Sequence, residues 1–241
     1  MTEGRSGVWA GALEALPLML GYFPIAFSFG VAATRAGLSG WEAMGLSIIV
    51  FAGAAQFLAI ALITGGTPVV LAGLTLAAMN LRHVLYGPVL LQKAGRPATR
   101  WAGIWSFALT DEVFGAALGA MARGQRFSEG FMAVLGLAAY GAWVAGTAAG
   151  AWAGGGALDA WPAVAAGLDF MLPALFLALL LSILSRAQVP VILASVLATV
   201  VVTLGLSARV ETLQAAGTLG LFAGMIAGAV TGVAWRARDA Q

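Results

Sequence analysis

The sequence has no cysteine and a single histidine among its 241 residues. Without cysteine the chain has no disulfide, no thiolate metal site and no iron–sulfur cluster, and one histidine is too few for a multi-histidine metal site. We therefore expect neither a bound metal nor a cofactor. Charged residues are also scarce, at 9% of the chain against roughly 25% in ordinary soluble domains.

Hydrophobic residues make up 61% of the sequence, which is more apolar surface than a soluble core can bury. Apolar runs of about 20 residues, the length that crosses a bilayer as a helix, recur along the chain. These runs are apolar on every face, unlike the alternating strands of a membrane β-barrel. The sequence predicts an all-α polytopic membrane protein, with one membrane domain over 1–241 and about six to eight membrane-embedded helical elements. Its few cationic residues form no basic stripe, so no nucleic-acid partner is expected.

The predicted elements are not all plain spans. Pro24 in the first and Pro173 in the sixth are predicted helix breaks, because proline lacks a backbone donor and clashes with the preceding turn. Broken helices are tolerated in a membrane where they line a cavity. The eight predicted elements lie at 12–34, 42–63, 68–91, 101–122, 130–152, 161–184, 189–206 and 214–234.

A shift of the chain by 89 positions aligns Asn80 with Asp169 and indicates a repeat. In this interpretation 12–91 and 101–184 are two copies of three elements, and two C-terminal helices follow at 189–234. Transporters are often built from such repeats around a midplane site.

The cationic residues favour re-entrant hairpins for the first and fourth elements, with tips at 21–24 and 110–113. Both termini are then cytoplasmic, and Arg35 joins nearly all other Lys and Arg residues on one side. Eight full crossings, with an inverted repeat, remain the alternative.

Five ionisable residues are predicted at bilayer depth, where charge is rare and usually functional: Arg82, His83, Asp111, Glu112 and Asp169. The guanidinium of Arg82 suits capture of a carboxylate, and Asp111 or Asp169 suits an ammonium group. A structural ion pair between these side chains is the competing interpretation.

Proton exchange is the chemistry expected of two further groups. Asp111 and Glu112 are adjacent carboxylates, and such a pair in a dehydrated site can bind and release a proton near neutral pH. We assign that role to Glu112, with His83 as a candidate relay. An interfacial loop for the acids, and simple packing for the histidine, remain open.

Three uncharged residues complete the candidate binding set. Gln56 and Asn80 can hydrogen-bond a bound zwitterion, and Tyr22 can line an apolar pocket beside it. Interhelical hydrogen bonding and packing are equally consistent with these residue types.

Five ordered blocks resemble the AzlC family, the large subunit of bacterial branched-chain amino acid exporters. They are GYFPIAFSFG at 21–30, FAGAAQF at 51–57, NLRHVLY at 80–86, TDE at 110–112 and DFMLPALF at 169–176. The resemblance implies a multi-pass protein of the bacterial inner membrane that works with a small AzlD-type membrane subunit. It also implies leucine, isoleucine, valine and sometimes methionine as substrates. The sequence has no ATP-binding motif, so secondary, proton-coupled transport is expected.

The combined prediction is a transporter subunit, not an enzyme, that exports aliphatic amino acids by alternating access around a midplane site. One rival is an intramembrane protease using Asp111 and Asp169 as a carboxylate pair, although the usual Gly-Asp context is missing. The other rival is a membrane scaffold that transports nothing.

Overall fold

The computed structural model describes residues 2–97, 99–156, 160–164, 188–209 and 213–239, with a few positions between 166 and 177. The secondary structure of this described part is helical and contains no strand, which confirms the predicted all-α class. The chain divides into two compact units, Met1–Leu172 and Pro173–Gln241.

The first eight described helices in chain order belong to the first unit. They are α1 (Thr2–Arg35), α2 (Gly40–Ile49), α3 (Gly53–Thr64), α4 (Val69–Asn80), α5 (His83–Ala94), α6 (Ala102–Phe107), α7 (Asp111–Ala122) and α8 (Glu129–Gly154). The second unit contains α9 (Val189–Ser207) and α10 (Leu213–Asp239). Within the described residues, five segments are long and apolar enough to cross a membrane: Gly7–Arg35, Val69–Ala94, Glu129–Gly154, Val189–Ser207 and Ala216–Trp235.

Helices α1 and α8 lie side by side and run in the same direction. Gly7 approaches Ser128 at one end of the pair, and Gly154 approaches Thr34 at the other. Between these ends, Gly146 and Gly150 face the backbone of α1 with no room for a side chain. Small residues of this kind let two helices approach closely in a membrane, where packing replaces the hydrophobic effect. We call the end at which both helices begin the N-end and the opposite end the C-end.

Helices α2 and α3 form a hairpin that enters from the C-end. Helix α2 begins with a capping box, in which Ser39 and Glu42 satisfy each other's backbone donors. Gly40 lies near Ala151 at the C-end, and Ser47 reaches Thr147 further along α8. The chain turns at 50–52, and α3 returns past Phe29 towards the C-end. The second predicted element is therefore a broken hairpin and not a crossing, which corrects its prediction as a plain span.

Helices α6 and α7 form a second hairpin, which enters from the N-end. Trp105 of α6 packs against Phe127, which precedes the start of α8. The chain turns at 108–110, where Ala108 lies against Gly136 of α8. Helix α7 then returns to the N-end, where Arg123 pairs with Glu14 of α1 at 2.6 Å. The hairpin predicted for the fourth element is confirmed.

A single broken segment, α4 followed by α5, connects the two hairpins. It starts beside the C-end and finishes beside the N-end, where Thr99 hydrogen-bonds Glu129 at the start of α8. It thus runs antiparallel to α1 and α8. Two hairpin-plus-crossing units, α2–α5 and α6–α8, therefore have opposite directions. Their crossing segments, Val69–Ala94 and Glu129–Gly154, have the same length of 26 residues and start 60 positions apart.

The structure thus contains an inverted repeat, whereas the sequence predicted a parallel one with an offset of 89 residues. The first element of the predicted first copy is the single helix α1, and its counterpart at 101–122 is a hairpin. The last part of the predicted second copy, 161–184, lies mostly outside the described residues.

The first element is one uninterrupted helix, so the predicted break at Pro24 and the hairpin around it are wrong. Helix α1 continues through both Pro17 and Pro24. A proline removes one backbone bond, but membrane helices tolerate this loss where neighbouring helices support the segment. Here α8 contacts α1 on both sides of Pro24 and holds it as one helix. As a result Arg35 lies at the C-end, away from the other cationic residues of this unit.

Four of the five described glycines with a positive φ angle follow helices within the first 124 residues. Each has a positive φ angle and lies one or two residues after a helix, where its N–H bonds back to the last turn. This is the glycine C-cap, which other residues adopt only with strain. The four are separated by a constant 29 residues: Gly37, Gly66, Gly95 and Gly124. They divide the first 124 residues into four segments of about the length that crosses a bilayer.

In the second unit α9 and α10 pack closely against each other. Gly220 and Gly224 of α10 lie against Thr199 and Thr203 of α9. This small-residue contact follows the same packing principle as the α1–α8 pair.

Candidate functional site

The charged residues of the first unit meet where two helices are interrupted. The turn at 81–82 separates α4 from α5, at the middle of the segment Val69–Ala94. Around it the backbone bonds shorten to a three-residue spacing, from Val84 to Leu81 and from Leu85 to Arg82. The second interruption is the hairpin tip at 108–110. These two breaks place Arg82 next to the first turn of α7.

Helix α7 begins at this tip with two acids. Thr110 caps the helix, and its hydroxyl accepts a hydrogen bond from the Val113 N–H at 3.2 Å. Asp111 and Glu112 form the first turn, where the positive end of the helix dipole stabilises negative charge. Because the helix is regular from Asp111 onwards, the two carboxylates point in different directions.

Asp111 faces α5 and forms an ion pair with Arg82. Arg82 Nη2 lies 2.6 Å from Asp111 Oδ2, and the two side chains are 47% and 42% exposed. The other carboxylate oxygen accepts a hydrogen bond from the Tyr86 hydroxyl and lies 3.9 Å from His83 Nε2. The Tyr86 ring stacks on Phe114 one turn along α7, with centroids 4.4 Å apart. The ion pair is thus fixed by its neighbours, and both of its side chains stay partly exposed.

Glu112 faces α1 and contacts Tyr22. The Tyr22 hydroxyl donates to Glu112 Oε2 at 2.7 Å and also hydrogen-bonds the Thr110 hydroxyl. The Tyr22 side chain is buried, and its ring packs edge-on against Trp143 of α8 at 5.3 Å. A single tyrosine therefore links the tip of the second hairpin to the α1–α8 pair.

The tips of the two hairpins meet at an aromatic side chain of α8. The Tyr140 ring lies 5.1 Å from Phe51 of the first hairpin and 5.8 Å from Phe107 of the second. The Tyr140 hydroxyl also donates to the backbone carbonyl of Ile48 at 3.0 Å. Both hairpins thus end at the same depth, close to the charged residues.

Gln56 lies in a separate buried network that connects the first hairpin to α8. Its carbonyl oxygen accepts from Trp143 Nε1 at 2.8 Å, and its amide donates to Ser47 Oγ at 3.0 Å. Ser47 in turn bonds Thr147 at 2.7 Å. Gln56, Ser47 and Thr147 are completely buried. The candidate role of Gln56 in binding solute therefore requires this network to open.

Two predicted site residues, Asp169 and Pro173, lie outside the described residues. The Asp111–Asp169 pair of the protease interpretation therefore includes one residue outside the described part of the chain. Asn80 is the last residue of α4 and lies two positions before Arg82. The structure thus brings together Tyr22, Arg82, His83, Asp111 and Glu112, and it places Asn80 at the same break.

The sequence analysis did not identify several residues of the site. They are Tyr86, Thr110 and two aromatic residues of α8, Tyr140 and Trp143. For Thr110 a signal was available, since a threonine directly before two acids is a typical helix start. Aromatic residues in an apolar bundle carry no comparable signal. Within the described part of the chain, no three His, Cys, Asp or Glu side chains cluster as metal ligands would.

The described residues of the candidate site all lie within a stretch that matches a known protein family. The family described as AzlC protein matches residues 17–156, which include the ion pair and both hairpins. The chain belongs to the AzlC family. This AzlC-family protein is 40% identical to inner membrane protein YgaZ of Escherichia coli over 190 residues, which cover 77% of this chain and 76% of YgaZ. It is also 38% identical over 172 residues to an uncharacterized membrane protein of Archaeoglobus fulgidus, with 71% and 73% of the two chains covered. No solved structure matches it.

These relatives and the apolar helices together establish a multi-pass membrane protein. The AzlC family is a transporter-type membrane family. Membership of this chain in the family is consistent with a transporter subunit.

Proposed function

We propose that this AzlC-family protein is the large subunit of a secondary transporter in the bacterial inner membrane. It exports branched-chain or related aliphatic amino acids, is driven by the proton gradient, and works with a small AzlD-type subunit. The observation that carries the proposal is the Arg82–Asp111 ion pair, held at 2.6 Å at the midpoint of a crossing segment. Charge at that depth is rare and usually serves a solute or ion pathway.

An ion pair of this kind is complementary to a zwitterion. The Arg82 guanidinium presents a planar fork that matches a carboxylate, and Asp111 can hold an ammonium group. A bound amino acid would insert between them and replace one charge pair by two. Because the paired side chains are partly exposed, the solute can reach both without unfolding the site.

Proton coupling is assigned to Glu112, which lies next to Asp111 but faces another helix. Its bond from the Tyr22 hydroxyl at 2.7 Å ties it to α1. Protonation of Glu112 would remove the charge that this bond serves and weaken the link between α1 and the hairpin tip. His83, 3.9 Å from Asp111, is the candidate relay between the ion pair and the N-end.

The inverted repeat supports alternating access. Two hairpins enter from opposite ends and meet near the ion pair, so each can open a path from its own end. Inverted repeats with broken helices around a midplane site are a common transporter design.

Cationic residues of the first unit also indicate its orientation. Lys93, Arg96, Arg100, Arg123 and Arg126 lie in the segments at the N-end, and Arg35 lies at the C-end. Because cytoplasmic loops carry the excess of Lys and Arg, we place the N-end in the cytoplasm.

The test is efflux of labelled leucine from vesicles that contain the purified protein, with and without the small subunit. A pH gradient should drive net release of intact leucine from the wild type. Glu112→Gln should abolish this pH-driven release and retain leucine–leucine exchange, because only the proton step is lost. Asp111→Asn should abolish both. Glu42→Gln, at an exposed acid of the α2 capping box, is the matched control and should behave as the wild type.

Unchanged pH-driven release in Glu112→Gln would remove Glu112 from the coupling role. If the wild type with its partner releases no labelled amino acid, the transporter proposal fails and the scaffold interpretation gains support. Release of leucine as an altered product would instead support an enzyme.

A further inference from the structure

A cavity of about 550 Å³ lies between α5 and α6, next to the ion pair. Phe51 and Leu109, from the tips of the first and second hairpins, form part of its wall. Its volume falls within the range of small-molecule sites, about 300–1,000 Å³. The cavity is on the N-end side of the hairpin tips, where α5 and α6 approach the N-end.

The cavity is predominantly apolar. Its wall includes aliphatic and aromatic surface from Val84, Pro88, Leu91 and Phe107. Among the described residues that line it, His83 is the one that can carry a charge. Such a surface recognises hydrocarbon and excludes charged or strongly polar groups.

His83 connects this cavity with the charged residues. It lines the cavity, and its Nε2 lies 3.9 Å from Asp111 Oδ1. An α-amino acid carries its ammonium, carboxylate and side chain on one carbon atom. A solute whose charged groups meet Asp111 and Arg82 can therefore place its side chain in the adjoining cavity.

Trp105 is a further part of the cavity wall. Its side chain is 2% exposed, and its ring packs against Phe127 with the centroids 5.6 Å apart.

We propose that this cavity binds the aliphatic side chain of the transported amino acid and sets its size limit. The inference rests on the proposed transport function and deepens it. The apolar wall selects the hydrocarbon of the solute. Gly87 and Leu91 then limit the length of the solute side chain that the cavity can hold.

Two substitutions change the cavity in opposite directions. A Cβ at Gly87 would lie 3.7 Å from Ser106 Cβ, an ordinary contact, so Gly87→Ala adds a methyl group without a clash. Leu91→Ala removes hydrocarbon from the wall. The matched controls are Gly73→Ala and Leu74→Ala on α4, where Gly73 has open space around it and neither residue lines the cavity.

The measurement is competition by unlabelled valine, leucine, methionine and phenylalanine against leucine exchange in vesicles. One methylene group in an apolar pocket is worth about 10-fold to 200-fold in discrimination. Gly87→Ala should therefore shift the preference towards valine by at least about tenfold, and Leu91→Ala should shift it towards methionine and phenylalanine. The controls should keep the wild-type order.

If Gly87→Ala and Leu91→Ala exchange leucine with the wild-type order, the side chain lies elsewhere, and a lipid chain or another helix fills the cavity. That outcome overturns the inference and leaves the transport proposal intact. Absence of exchange in the wild type overturns both. If Gly87→Ala fails to insert or fold, Leu91→Ala alone tests the inference. This substitution enlarges the cavity, so it removes contacts without adding any.

Discussion

The contact between α1 and α8 gives a direct test of the fold, through Gly150→Ala. A Cβ at Gly150 would collide with the carbonyl group of Phe27 and lie 2.7 Å from its carbon atom. Ordinary contact begins at 3.4 Å, so the helices would have to separate by the difference, at least 0.7 Å. The obstacle is backbone, which cannot turn aside as a side chain can.

Two opposing effects determine how far Gly150→Ala changes the free energy of unfolding. Overpacking of a close contact costs about 1–3 kcal/mol, and a rigid backbone contact belongs at the upper end of that range. Replacing glycine by alanine in a helix contributes about 1 kcal/mol in the other direction. We therefore expect Gly150→Ala to lower the free energy of unfolding by about 2 kcal/mol. Gly141 lies on the same helix with open space around it. Gly141→Ala should therefore show only the stabilisation that comes from the higher helix propensity of alanine.

The assay is unfolding of the purified protein in mixed micelles with increasing sodium dodecyl sulfate, followed by tryptophan fluorescence. Gly150→Ala should unfold at a lower fraction of the denaturing detergent than the wild type, and Gly141→Ala at an equal or higher fraction. Equal behaviour of the two variants would refute the close parallel packing of α1 and α8.

Three other predictions address the hairpins and their contacts. Single cysteines in the loops 36–39 and 65–68 should react from one side of the membrane and those in 123–128 from the other; opposite sides for the first two loops would mean that 42–63 crosses. Gln56→Leu should lower the Tm, because each buried group left unpaired costs about 1–3 kcal/mol, and an unchanged Tm would contradict the buried network. The pKa of Glu42 is lowered from 4.5 by hydrogen bonds from the N-cap backbone and then the N-cap hydroxyl, so this stabilisation holds above the unfolded-state pKa and is lost as the pH falls. NMR titration of its carboxyl carbon should show a midpoint below 4.5, and a midpoint at or above it would disprove the capping box.

Composition alone was enough to predict helices and a membrane, because 61% hydrophobic residues leave no alternative solvent. The boundaries of some long apolar helices also followed from their length. For example, the predicted element at 130–152 corresponds to α8, Glu129–Gly154. In contrast, α1 begins ten residues before the predicted start at 12.

The two hairpins show why the positions of the helix breaks were harder to predict than the helices. The second has Thr110-Asp111-Glu112 at its tip, and polar residues in an apolar run indicate a break. The first turns at Phe51-Ala52-Gly53 with no polar residue, so nothing local distinguishes it from a crossing. In contrast, Pro24 gave a strong local signal for a break that tertiary packing against α8 overrides.

One signal in the sequence does coincide with the divisions of the structure. The C-cap glycines at a constant spacing of 29 residues divide the chain where the structure does, but glycine is so abundant here that the pattern is hidden among 33 of them. The gathering of Arg82, Asp111 and Glu112 at one place was predicted from the energetic cost of isolated charge in a membrane. Their partners Tyr86 and Tyr22 depend on the geometry of the breaks, which the sequence does not contain.

Because the chain has no cysteine, single introduced thiols can test directly for a wet solute site at the middle of the crossing segment. Leu81→Cys places one thiol beside Arg82, and Leu74→Cys places a similarly exposed thiol on α4 away from the site, since the native side chains are 67% and 61% exposed. If this site exists, a charged, membrane-impermeant thiol reagent should label position 81 and leucine should slow this labelling, whereas position 74 faces lipid and should stay unlabelled. No labelling at position 81, or labelling that leucine does not affect, would contradict it.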